Sequence, residues 1–217
     1  MQSIIDQFQL ENPVLLPEAI KVGIINQSFC LKSAVEGGKS YFLQRINHNI
    51  FQDVEGLQNN IDRVTSHIRQ LLTEAGEADV ERKVLRVVPT KDGKLYYRTP
   101  EGDYWRIYVL IENAPSYERI DAQSAFLAGQ AFGNFQCQLA SIDTDTLVES
   151  IPHFHDLAFR IEQLHEALNK DAAGRKAATQ DIADFLLLCA EEMCLAEQLY
   201  AEGKLANKQR RNAGKGD

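Results

Sequence analysis

Two tight turns fall so close together in residues 20–47 that an antiparallel meander is the simplest fold for the stretch. The first lies in Gly23-Ile24-Ile25-Asn26-Gln27-Ser28-Phe29, and the strand leaving it continues through Cys30-Leu31-Lys32-Ser33. The second, Glu36-Gly37-Gly38-Lys39, returns the chain into Tyr41-Phe42-Leu43-Gln44-Arg45-Ile46. Successive hairpins with glycine at the turns define an antiparallel sheet. The first turn also places a glycine, an amide and a hydroxyl within residues 23–28. Bare backbone N–H groups and short donors in such a turn suit a phosphate, although most Gly/Asn/Ser turns are only turns.

The rest of the chain divides into strands and then helices. A short helix over 3–9 precedes Pro13 and Pro17, which hold an extended lead-in to a strand over 19–23. A long helix is predicted from Asp53 to Glu74. Leu57, Ile61, Val64, Ile68 and Leu71 recur at helical spacing, with Asn59, Asn60, Arg63 and Ser66 turned elsewhere, and Ala75-Gly76 ends it. Strands follow at 84–88, 95–98 and 104–111, joined by turns at 91–94 and 99–103. The character changes at Glu112-Asn113-Ala114-Pro115-Ser116. Beyond it helices are expected over 121–140, from Leu157 past Leu168, and over 172–201, ended by Gly203. Phe126, Phe132, Phe135 and Leu139 read as an apolar stripe in helix core, and Gly129 and Gly133 as a site of close approach. The fold class is therefore α+β: an antiparallel sheet with one long inserted helix over 1–111, a connection over 112–120, helices over 121–203 and a basic tail over 204–217.

Charge narrows the partners. The 217 residues carry −8, but residues 204–217 hold five basic side chains and one acid (+4), leaving −12 on residues 1–203. An acidic body argues against nucleic acid as a partner. There is no run of about 20 apolar residues to span a membrane and no basic-then-apolar leader at the N-terminus. Cys30, Cys137, Cys189 and Cys194 are scattered and read as reduced core thiols of a cytoplasmic protein.

The wording of three segments is more specific than the layout. Gly23-x-Ile25-Asn26-Gln27-Ser28-Phe29, Phe42-Leu43-Gln44-Arg45-Ile46-Asn47-His48-Asn49-Ile50-Phe51 and Asn60-Ile61-x-Arg63-Val64-Thr65-x-His67-Ile68 resemble the aminoglycoside-phosphotransferase/choline-kinase superfamily. Within it they are similar to bacterial sugar kinases of the N-acetylhexosamine 1-kinase type. Tyr104-Trp105-Arg106 and Glu191-Glu192-Met193-Cys194 fit the same group, so the resemblance covers about residues 1–203. It implies a protein-kinase-like N-lobe followed by the first helices of a C-lobe, with ATP between them and a small sugar as acceptor. Gly23, Asn26 and Ser28 would then lie over the phosphates, and the backbone of Leu110, Ile111 and Asn113 would meet the adenine. The basic residue that the family places on its third strand falls on Gln44 or Arg45. Neighbours on a strand face opposite ways, so one of them points inward. Arg45 is preferred because it alone is charged. Glu55 and Asp62 are the candidates for its acidic partner on the long helix.

What the resemblance does not supply here is the reacting end. The family carries its base and metal ligands in an H-x-D-x-x-x-x-N segment and in an aspartate beyond it, the latter binding Mg²⁺. None of His48, His67, His153, His155 and His165 is followed two residues later by aspartate. Asp143-Thr144-Asp145 has the look of a metal pair but reads as a turn. Past Gly203 the chain reads as an unrelated tail, of the kind a frameshift or early stop produces. The expectation is a truncated phosphotransferase without catalytic or metal residues, inactive alone and binding nucleotide weakly. His153 and His155 are assigned to the sugar, as residues of a loop near it in the kinase reading. The alternative is a non-catalytic α+β binding module, with a partner covering the exposed face of the helical half.

Overall fold

A computed structural model describes residues 1–21, 23–114, 119–154 and 156–202. Its elements run α1 (Gln2–Ile5), β1 (Glu18–Ile20), β2 (Gln27–Leu31), β3 (Tyr41–Ile46), α2 (Val54–Glu74), α3 (Val80–Lys83), β4 (Val87–Val88), β5 (Tyr97–Arg98) and β6 (Tyr104–Val109). Then follow α4 (Ala122–Gln138), α5 (Leu157–Lys170), α6 (Gln180–Leu188) and α7 (Ala190–Ala201), with 3-10 turns at Thr144–Thr146 and Ala177–Thr179. The described residues form two compact units, Met1–Ile151 and those from Pro152 onward.

The sheet is the antiparallel one the turns require. Its order is β1-β2-β3-β6-β4, with β5 also on the outer edge of β6. Strand alternation gives it one apolar face. Leu31, Tyr41, Leu43, Trp105, Ile107 and Val88 form a core with Ile5 and Phe8 of the N-terminal segment. The lead-in is anchored there too: the Glu11 N–H donates to the Tyr41 hydroxyl at 2.9 Å, and Leu15 N–H donates to the Lys32 carbonyl at 2.8 Å.

The long helix begins where its cap directs. Asp53 accepts from the Gly56 N–H at 2.8 Å, satisfying one of the helix's free donors. Gly56 is buried, and a Cβ there would stand 2.5 Å from a Val148 methyl, so the helix needs glycine to accept that segment. The polar residues of α2 hold the same stretch. Asn60 exchanges two hydrogen bonds with the Val148 backbone, Arg63 donates to the Thr146 carbonyl, and the His67 ring meets the Gln138 carbonyl at 3.0 Å. Below them Ile68, Val84, Leu139 and Ile142 make a second small core.

Several expectations are adjusted. The 84–88 segment pairs only at Val87 and Val88, because α3 uses the residues just before it. The helix expected over 172–201 is broken at Cys189 into α6 and α7. The stripe on α4 is not core: Phe126 and Phe132 are each 71% exposed, and Leu139 at its end is the one that is buried. Cys137 on the same helix is likewise exposed, not a core thiol. Spacing records that a helix has an apolar side, not that anything covers it. The tail over 204–217, with Gly203, lies outside the described residues. Among the described residues no helix is long and apolar enough to cross a membrane.

Candidate functional site

The other face of the sheet is polar at its centre. Gln44 and Arg106 are direct cross-strand partners on β3 and β6, and residues paired this way project to the same side. The Arg106 guanidinium donates from Nε and Nη2 to the Gln44 amide oxygen at 3.1 and 2.9 Å. Its Nη1 donates to the Gln58 amide oxygen at 2.8 Å. Gln58 comes from α2, is wholly buried, and is fixed by donating to the Leu95 carbonyl at 2.9 Å. Gln44 in turn donates to the Ser28 hydroxyl at 3.0 Å. A single polar line thus crosses β2, β3, β6 and α2.

Arg106 is 8% exposed and packs 5.1 Å from the Tyr108 ring centroid. Burial pushes its pKa down from the ordinary guanidinium value, opposed by the nearby Tyr108 phenol. The phenol's own pKa is pushed up, by burial first, with Arg106 opposing. A guanidinium keeps its proton under such pressure.

Gln44, Arg106 and Tyr108 line a cavity of about 550 Å³ with Phe42, Ile61, Leu85, Val109, Leu110, Ile111 and Ala114. A cavity of this size fits a small-molecule ligand. Beside it, past Leu110, a second hollow is lined by Cys30, Ser40, Glu112 and Asn113. Burial raises the Cys30 thiol pKa, so the side chain there is a neutral thiol. The connecting strand end is held firmly. Leu110 N–H donates to the Ser40 carbonyl at 2.9 Å, the Ser40 hydroxyl donates to the Glu112 carboxylate at 2.8 Å, and Arg82 donates to the Glu112 carbonyl at 2.8 Å. Asn113 turns the chain with a φ of 55°. Between these anchors Ile111 keeps both its N–H and its carbonyl without a protein partner among the described residues.

The glycine turn is a strand-to-strand loop as expected. Gly23 has a φ of 106° with nothing near its missing Cβ, so glycine serves the backbone conformation there and not a close approach. The N–H groups of Ile24 and Ile25 have no protein acceptor among the described residues. Asn26 is committed to structure, its amide oxygen accepting from the Asn47 N–H at 2.9 Å. Ser28 is buried beneath Gln44.

Of the two third-strand candidates, Gln44 shares the cavity. Arg45, preferred on charge, is set on the opposite face by the parity of the strand. Arg45 projects from the face of Leu43 and Trp105, donates to the Asp103 carboxylate, and lines a further hollow of about 230 Å³, at the end of the glycine turn, with Ile25, Gln27 and His48. Glu55 is exposed on α2, and the helix residue that reaches the sheet is Gln58. His153 lies in the second unit, its Nδ1 2.8 Å from Asp156 and its ring 4.8 Å from that of Phe159, closing the start of α5. His155 lies outside the described residues. Among the described residues no three His, Cys, Asp or Glu side chains gather to hold a metal ion. Sequence reasoning missed Arg106 and Gln58. The available signal was one charged residue at the centre of an otherwise aromatic and aliphatic strand.

Sheet, long helix and following helices make a kinase-like α+β fold. Among solved structures, the chain superposes on spectinomycin phosphotransferase APH(9)-Ia, determined in complex with ADP and spectinomycin. The TM-score is 0.55 at 13% identity, over 95% of this chain and 59% of that one. The chain therefore spans less than two thirds of that enzyme's length. No protein-family model matches it.

Proposed function

We propose that the chain is the nucleotide-binding portion of an ATP-dependent phosphotransferase, with a small sugar of the N-acetylhexosamine type as the acceptor of the whole enzyme. The observation that carries this reading is the unpaired Ile111 backbone at the wall of an apolar cavity. A purine presents a donor and an acceptor side by side, and one peptide N–H with its carbonyl answers both. Phe42, Ile61 and Tyr108 supply apolar walls for the base. The N–H groups of Ile24 and Ile25 in the glycine turn are offered to the phosphates. The likeness to an enzyme solved with ADP supports the same direction. Phosphoryl transfer is not assigned to this chain, since positioning and charge neutralisation supply most of that catalysis and no H-x-D-x-x-x-x-N occurs in its 217 residues.

Thermal unfolding of the pure protein tests the reading. ADP and ATP are expected to raise the melting temperature with a saturable dependence on concentration, and no ATP turnover with N-acetylhexosamine is expected. Indifference to both nucleotides overturns the nucleotide site, and turnover overturns the assignment of the missing chemistry. The exposed Phe126 and Phe132 of α4 and Ile182 and Leu188 of α6 favour a second reading, a binding module whose partner covers those helices. A monodisperse protein that ignores ATP is its signature.

A further inference from the structure

We infer that Arg106, held by Gln44 and Gln58, is an anion site for the polyphosphate of the bound nucleotide, taking the role that a basic residue on the third strand would otherwise fill. The inference rests on the nucleotide reading for the identity of the anion, but its evidence is separate. Arg106 is a buried cation without a carboxylate. Arg45 pairs with Asp103, Arg86 with Glu11 and Arg69 with Glu81, while Arg98 of β5, stacked 5.4 Å over the Tyr104 ring, is exposed to water and needs no counter-ion. Arg106 makes no ion pair among the described residues, and its partners are two amide oxygens. Burying an uncompensated charge is costly, so a permanent place for one at a cavity wall points to a counter-ion that comes and goes.

The choice of amides has a consequence. A lysine on β3 paired with a glutamate on α2 sums to zero charge. Gln44 and Gln58 orient the guanidinium through three hydrogen bonds yet leave its whole charge to the ligand. A guanidinium has five N–H donors, of which three are used here. The two left over, one on each terminal nitrogen, suit a forked contact with phosphate oxygens. Gln44 and Arg106 are directly opposite on adjacent strands, so the cation is displaced from the third-strand position by only about 5 Å. The longer arginine side chain spans that distance.

The test titrates the full 217-residue protein with inorganic tripolyphosphate, adenosine and ATP in parallel. Wild type is expected to bind tripolyphosphate, and to bind ATP more tightly than adenosine. R106Q is expected to lose about tenfold or more of the tripolyphosphate and ATP affinity while adenosine binding stays the same, and R106K to restore part of the loss. Q44E covers the case in which R106Q fails to fold. It supplies the missing carboxylate, so it is expected to raise the melting temperature without ligand while abolishing tripolyphosphate binding, two effects that a purely structural Arg106 would not couple. ATP preference unchanged in R106Q and Q44E overturns the inference and leaves the nucleotide reading standing. Tripolyphosphate binding lost in both variants, with adenosine never bound, keeps the anion site and overturns the nucleotide reading. Wild type that binds neither tripolyphosphate nor ATP overturns both.

Discussion

At the residue scale, what matters is which side chains are held by others and which are left with something to offer. Trp105 is buried on the apolar face, 6.1 Å from the Phe29 ring, and its indole N–H has no partner. An unmet buried donor costs about 1–3 kcal/mol. W105F is therefore expected to change stability by no more than about 1 kcal/mol, where truncating a well-satisfied buried aromatic costs about 3–5. Urea denaturation of the two proteins measures the difference. Glu11 behaves differently. Hydrogen bonds from Lys39 first, then Arg86, hold its carboxyl below the usual carboxylate range. The unfolded chain then binds its proton at higher pH than the folded one, so stability rises with pH through that interval. The contribution is present above about pH 4.3 and is lost as the pH falls through the depressed folded value. Because Glu11 is exposed the effect is small. E11Q is expected to flatten the acid side of the melting temperature against pH profile and to leave the neutral region nearly unchanged. A profile parallel to wild type below pH 4 would show the ion pairs to be idle.

At the scale of elements, the sequence was legible wherever one rule acted alone. Glycine at 37 and 93 fixed turns by their left-handed φ, and the Asp53 cap with the Leu57-to-Leu71 periodicity located α2 to within a residue. The site was harder to read, since it depends on the parity of strands and on which residue of a distant helix meets them. Charge suggested Arg45, but alternation turns it to the Leu43 face and brings Gln44 to Arg106. Nothing local marks Gln58 as a polar α2 residue that lies wholly buried and reaches Arg106 of the sheet. The α4 stripe shows the opposite failure, a strong local pattern with no cover. This difference predicts two unlike mutational responses. L43A removes a fully buried side chain and is expected to cost about 2–5 kcal/mol in denaturant titration. F126S/F132S removes two exposed rings and is expected to leave the unfolding midpoint within about 0.5 kcal/mol while lowering light scattering at high protein concentration. A large loss of stability in the double variant would mean that those rings are covered in solution.

At the scale of the molecule, a kinase-like sheet and helix stand with a cavity lined by residues of the first unit. The Ile111 peptide, the Arg106 cation and the glycine turn lie within Met1–Ile151, so the groups proposed to meet the nucleotide all belong to one unit. On the proposed reading the chemistry of transfer rests on an H-x-D-x-x-x-x-N segment, which does not occur in the 217 residues. Binding and turnover are thus expected to separate in this chain. The most direct measurement is a titration of the ¹⁵N-labelled protein with ADP followed by two-dimensional NMR. Saturable shifts of the Ile111 amide and the Arg106 Nε–H are predicted, with that of the Arg45 side chain unmoved. Shifts absent from Ile111 and Arg106, or centred on the Arg45 hollow, would contradict the account.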